Sequence, residues 1–121
     1  MKKFMAMTMA MVMAAMALTG SSNAADDKAS VDIPVIGINQ YGQHASLDNC
    51  REGFLQGLEE AGLKEGVDYK IEYQNAGFDD NAATQIAQNF SAKNVALMCA
   101  IATPSATACY AAAEDKDIPV I

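Results

Sequence analysis

Basic residues are scarce in this chain. Eight lysines and arginines stand against fifteen acidic residues in 121, a formal net charge of −7. Nucleic-acid binding needs a basic footprint, and none is available. Histidine occurs once, at His44, and cysteine three times, at Cys50, Cys99 and Cys109. No Cys-x-x-Cys pair or Cys/His cluster exists, so no metal or redox site is expected. There is no Gly-x-Ser-x-Gly turn, no Walker loop and no paired carboxylates set against a histidine. Gly37 and Gly42 are separated by four residues, which is not the Gly-x-Gly-x-x-Gly spacing that lets a backbone approach a pyrophosphate. These absences argue against a nucleotide cofactor and against the common catalytic centres. The expectation is a protein that is not an enzyme and needs no cofactor.

The amino-terminal segment is of another kind. Lys2 and Lys3 are followed by the apolar, methionine-rich stretch Phe4–Leu18 and by Ser22-Asn23-Ala24, a small-x-small cleavage site. Residues 1–24 therefore read as a secretory signal, with an apolar stretch too short for a membrane span. Leu18-Thr19-Gly20-Ser21 resembles a bacterial lipoprotein box, but serine stands where the lipidated cysteine would be. A thioether-linked lipid needs a thiol, so a soluble periplasmic protein without a lipid anchor is expected. Only Lys2 and Lys3 among the charged residues precede Ala25, so the remaining 97 residues carry six basic and fifteen acidic groups, a net charge of −9.

Residues 25–32 are polar and read as a flexible leader. Strand and helix signals then alternate. Ile33–Asn39 is the first strand, with Pro34 near its start where no ladder donor is required. Ser46–Ala61 has the helical period, and Leu47, Cys50, Phe54, Leu58 and Ala61 share one stripe. Ser46 is the expected N-cap, Asp48 suits the first turn, and Gly62 followed by Leu63 is a stop signal. Gly53 and Gly57 each cost about 1 kcal/mol relative to alanine. Close approach of this helix to the sheet is the expected compensation.

Tyr69–Gln74 alternates between apolar and polar residues and reads as an edge strand. Asn81–Lys93 is a second helix, capped by Asp79 or Asp80 and closed by Asn94, with Ala82, Ile86 and Phe90 on its buried stripe. The apolar run from Val95 reads as a strand buried on both faces. It breaks at Ala102-Thr103-Pro104-Ser105 into an alanine-rich helix with Thr103 as N-cap and Pro104 in its first position. Ile118–Ile121 begins another strand. Right-handed crossovers turn this βαβαβα order into an α/β fold, a parallel sheet with the first strand between the second and third. Cys99 and Cys109 would lie on a strand and on the helix packed against it, roughly 8–10 Å apart. A disulfide needs about 7 Å or less, so three free thiols are expected.

Three loops meet at the carboxyl edge of such a sheet: Gln40–Ser46, Asn75–Asp80 and Thr103–Ala106. They carry amides, hydroxyls, an imidazole, a phenol and a helix start, which is equipment for hydrogen-bonding a small polar solute. Free N–H groups of Ser105 and Ala106 would favour an anion. His44 could equally be an ordinary loop hydrogen-bonder, Tyr41 could pad its loop, and Asp79 and Asp80 suit helix caps better than ligands.

Gly37-Ile38-Asn39-Gln40, His44-Ala45-Ser46-Leu47-Asp48 and Arg51-Glu52-Gly53-Phe54 resemble the opening of bacterial ABC transporter substrate-binding proteins of the tryptophan/tyrosine type. Tyr73-Gln74-Asn75-Ala76, Ile86-Ala87-Gln88-Asn89-Phe90, Ala100–Ala106 and Asp117-Ile118-Pro119-Val120 continue the match in order. The resemblance implies a type I periplasmic-binding-protein fold, with helices on both faces of each Rossmann-like lobe and a ligand held between two lobes. Residues 33–121 would be a partial N-terminal lobe, cut in its fourth strand. Carried over by position, Gln40, His44, Asn75, Thr103, Ser105 and Ala106 would border the cleft, with Tyr41 and His44 addressing the side chain or amine of an amino-acid-like ligand. Ala45 stands where proline is usual, and Gly77-Phe78 replaces a polar-glycine pair. The implied function is capture of a small, possibly aromatic amino acid for an ABC permease in the inner membrane. A piece of a secreted α/β enzyme, or a sensor domain of the same fold, is the alternative.

Cleavage after Ala24 is directly testable. N-terminal sequencing of the exported protein should begin at Ala25, whereas a product retaining Met1 or carrying lipid would contradict the signal assignment.

Overall fold

A computed structural model describes residues 32–121. The expected signal segment, residues 1–24, and all but the last residue of the leader, 25–32, lie outside the described residues. Three strands, β1 (Val35–Gln40), β2 (Lys70–Asn75) and β3 (Leu97–Ile101), alternate with helices α1 (Ala45–Glu60), α2 (Asp80–Ala92) and α3 (Thr103–Ala113). The sheet is parallel in the order β2-β1-β3, so the first strand is central as the alternating pattern predicts. Ile38 stands opposite Tyr73 on one side and Cys99 on the other. Beyond β3 the segment 119–121 pairs in parallel, with Met98 N–H donating to Pro119 O at 2.9 Å and Ile121 N–H to Met98 O at 3.0 Å.

Period-two alternation sorts the strand side chains onto two faces. Met98 joins Ala87, Phe90, Val95, Cys109 and Ala113 under α2 and α3, with Val35 packed against them. Ile38, Cys99 and Ile101 form the other cluster, against Leu47, Phe54 and Leu55 of α1 and Ile71 of β2. The two layers are unequal. α2 and α3 bury seven residues between them, while α1 buries none fully.

Helix ends follow local chemistry in most places. α1 stops in a left-handed Gly62, φ +86°, with Leu63 N–H donating back to Leu58 O at 3.1 Å. Asn94 closes α2 in the same manner, φ 52°, with Val95 N–H on Phe90 O. These are the glycine and asparagine stops that the sequence indicates. Asp79 caps α2, accepting from Ala82 N–H at 2.9 Å. Two starts differ from expectation. α1 begins one residue early, with His44 rather than Ser46 as its cap: imidazole Nδ1 accepts from Ser46 N–H at 3.2 Å. α3 is preceded by Ala102 rather than capped by Thr103, and no side chain caps it.

The stripe of α1 also needs correction. Leu47, Phe54 and Leu58 face inward, together with Leu55 and Arg51, whereas Cys50 and Ala61 are exposed. Gly53 and Gly57 are exposed too, and an added Cβ would meet nothing within 4 Å of either. They do not bring the helix close to the sheet. The close approach occurs in β1 instead, where a Cβ on Gly37 would lie 2.6 Å from the Phe90 ring. The three cysteines are free: Cys50 is exposed, and Cys99 and Cys109 are buried in different clusters on opposite faces of the sheet. Burial pushes the Cys99 thiol up to about 11, so it stays protonated at neutral pH.

One substitution should therefore act with opposite signs at two glycines. Gly37→Ala drives a methyl into Phe90 and should destabilise by about 1–3 kcal/mol, the range for overpacked cores. Gly53→Ala gains helix propensity at no steric cost and should stabilise by about 1 kcal/mol. Urea unfolding of both variants checks the pair, and equal signs would contradict the packing described.

Candidate functional site

The carboxyl ends of the three strands carry their loops to one edge of the sheet. Ladder bonds continue into those loops and tie them together: Tyr41 N–H donates to Ile101 O at 3.1 Å, Ala76 N–H to Gln40 O at 2.9 Å, and Phe78 N–H to Tyr41 O at 2.7 Å. Most of the side chains expected to border a cleft are already engaged within the chain.

Gln40 is fully buried. Its amide donates to Gly42 O at 2.7 Å and to Asp48 Oδ1 at 2.8 Å, while its oxygen accepts from Arg51 Nη1 at 3.0 Å. It fixes the first loop against α1. Arg51 also pairs with Asp48 at 3.5 Å and lies 4.6 Å from the centroid of the Tyr73 ring, within cation–π range. The Tyr41 hydroxyl donates to Asp80 Oδ1 at 2.7 Å. That bond to a carboxylate, with a smaller contribution from burial, raises the pKa of the phenol above its ordinary value. His44 is exposed and spends Nδ1 on the cap of α1. Asn75 is exposed and closed on itself, its amide donating to the Tyr73 hydroxyl at 3.1 Å and accepting from Gly77 N–H at 2.8 Å.

At the start of α3, Thr103 is exposed while Ser105 is fully buried. The Ser105 hydroxyl points inward and donates to Asn39 Oδ1 at 3.1 Å. Ala106 N–H is not free, because it donates to Ala102 O at 3.0 Å. The unpaired first-turn donors are therefore the N–H groups of Thr103 and Ser105, since Pro104 has none. This corrects the expectation that Ser105 and Ala106 would supply them. Ala102 carries φ +85° and ψ 153°, a region open in practice to glycine alone. Such strain costs about 1–3 kcal/mol and persists only where the surroundings over-determine it.

Asn39 was not marked by sequence reasoning, yet it organises this edge. It is fully buried at the end of the central strand. Its amide donates to Ala83 O of α2 at 3.0 Å and reaches Cys109 Sγ of α3 at 3.5 Å, while its oxygen takes the Ser105 proton. The available signal was a polar residue at an inward position of an apolar strand. Asp48, Arg51, Tyr73 and Phe78 were also missed as site residues. Together with Gln43, Asn75 and Gly77 they line a surface cavity of about 570 Å³ beside the second loop. Another cavity of about 620 Å³, lined by Leu63, Lys64, Glu65 and Tyr69, opens near the start of β2, away from this edge. No group of three or more histidine, cysteine, aspartate or glutamate side chains that could hold a metal occurs among the described residues.

Comparison with known proteins agrees with this fold. Residues 35–121 match the family described as ABC transporter substrate binding protein. A tyrosine-binding protein of Clostridioides difficile is 39% identical over 99% of this chain, a match that spans 36% of the relative's length. The ligand-free, open structure of a substrate-binding protein with adhesive properties from Clostridium difficile superposes with a TM-score of 0.70 at 40% identity, covering 74% of this chain and 30% of that one. A Streptococcus pneumonia ABC domain in complex with L-Trp gives a TM-score of 0.66 at 33% identity, covering 72% and 28% respectively. The chain thus spans about a third of the length of these relatives.

A double-mutant cycle tests the role given to Asn39. Asn39→Ala removes the side-chain donor to the Ala83 carbonyl, which keeps its helical bond, and leaves the buried Ser105 hydroxyl without its acceptor. It should cost about 1–3 kcal/mol for that group left unpaired. Ser105→Ala should also destabilise, and the double variant should lose less than the sum by about 0.5–3 kcal/mol. Strict additivity in urea unfolding would show that the two side chains do not act together.

Proposed function

The chain belongs to the family of ABC transporter substrate binding proteins, and from that premise we propose that it captures a free aromatic amino acid at the carboxyl edge of its sheet. The protein is exported through its cleaved signal, works in the periplasm without a lipid anchor, and passes its ligand to an ABC permease in the inner membrane. Residues 33–121 form part of the N-terminal lobe, and the ligand is enclosed between this lobe and a second one. The reading involves binding and release with no chemical step. The observation that carries it is the 39% identity, over almost the whole chain, to a protein named for binding tyrosine.

Local chemistry supports the same reading. The ligand carboxylate sits at the start of α3, where the N–H of the exposed Thr103 and the positive end of the helix dipole favour an anion. Thr103 contributes its exposed hydroxyl. Gln40 and Asn75 shape the edge rather than bind directly, because their amides are engaged within the chain. Ser105 and Ala106 shape the helix start rather than bind, since the Ser105 side chain is turned into the core and the Ala106 N–H is held by Ala102 O. His44, exposed and with Nδ1 on the cap of α1, offers Nε2 to the ligand.

A thermal-shift series on the full-length protein tests the ligand class. L-tyrosine or L-tryptophan at 100 times its dissociation constant should add about 2.7 kcal/mol of stability. Thr103→Ala should weaken that binding about tenfold, the loss of one charge-assisted hydrogen bond, with little effect on the unliganded transition. Unchanged affinity in this variant would remove the helix start from the site.

A further inference from the structure

We propose that Phe78 is a specificity-determining residue of this site, the ring that selects an aromatic ligand over an aliphatic one; the inference rests on the amino-acid reading above. Phe78 is 55% exposed in the second edge loop. Its backbone is left-handed, φ 64°, directly after Gly77 at φ 64°. Asparagine and aspartate tolerate that region, but for a bulky aromatic it is an outlier held by its surroundings.

The surroundings are specific. Phe78 N–H donates to Tyr41 O at 2.7 Å, and the two rings meet edge to face, with centroids 5.7 Å apart and planes at 90°. Tyr41 is itself anchored, because its hydroxyl is bound to Asp80. A Cβ on residue 42 would come within 2.3 Å of the Phe78 ring, so Gly42 leaves the space that the ring occupies. Three constraints on two loops thus place one apolar ring at the solvent-facing edge where ligands of open α/β sheets bind.

The cavity beside it shows what remains to be used. Asp48, Arg51 and Asn75 already spend hydrogen bonds within the chain, and Tyr73 already faces the Arg51 guanidinium. Phe78, 55% exposed against 38% for Tyr73, has the larger apolar surface left over in that lining. An indole or phenol ring laid against it recovers apolar burial and a second aromatic contact beyond the one with Tyr41.

Calorimetry of the full-length protein with L-tryptophan and L-tyrosine, for wild type, Phe78→Leu and Phe78→Gly, tests this, together with an intermolecular NOE between ligand ring protons and the Phe78 ring. Removal of the ring should weaken both ligands roughly two- to twelvefold, the equivalent of one aromatic pair. It should narrow by the same factor their preference over L-leucine titrated alongside, and the NOE should be present in the wild-type complex. Unchanged affinity in both variants, or a complex without the NOE, overturns the role of Phe78 while leaving the amino-acid reading intact. Failure of the wild type to bind either amino acid overturns both.

Discussion

One buried amide holds the sheet and two of its helices together at the carboxyl edge. Asn39 is the inward-facing residue at the end of the central strand, where α2 and α3 converge on β1. Beside Phe90, these helices bury mainly small residues, Ala83, Ala87 and Ser91 on one and Ser105, Cys109 and Ala113 on the other. Small side chains let the helices come close but supply little direction. A fully satisfied polar group in a low-dielectric interior supplies it, because any rearrangement that breaks one of its bonds leaves a buried group unpaired. The position of the α3 start is therefore set by a hydrogen bond from its own first turn.

The two faces of the sheet divide the work. The α2/α3 face is the tight one, closed around Phe90 and Met98, with Gly37 leaving room for the Phe90 ring against the central strand. The α1 face is thinner, with no residue of the helix fully buried. There the polar network of Gln40, Asp48 and Arg51 does the anchoring. Such bonds are directional and local, so they hold the loop after β1 in place where apolar contact alone would let it slide.

Strain is distributed unevenly among the loops. Among the described residues, four non-glycine residues have positive φ. Asn94 and Asp117 are of the type that tolerates it, while Phe78 and Ala102 are not, and both lie in loops at the carboxyl edge. The ordinary turns of the chain use the residues that suit them. The edge loops instead hold a ring and a helix start in positions that local preference would not choose, which is where a binding protein needs pre-organised groups.

Much of the fold was legible because it depends on short-range chemistry. The alternation of strands and helices, the stops at Gly62 and Asn94, a cap of α2 at Asp79 or Asp80 and the central position of β1 all follow from periodicity, turn residues and crossover handedness. Tertiary structure alone decided the rest. Helical period placed Cys50 on the inner stripe, but α1 settled with Arg51 inward, where its charge meets Gln40, Asp48 and the Tyr73 ring. Spacing could not say which glycines face a neighbour, so Gly53 and Gly57 proved open and Gly37 closed. Residue type marked Ser105 as a ligand group, yet its hydroxyl turned toward Asn39, sixty-six positions away in sequence. A partner that distant leaves no local trace, because the bond exists only once β1 and α3 are packed.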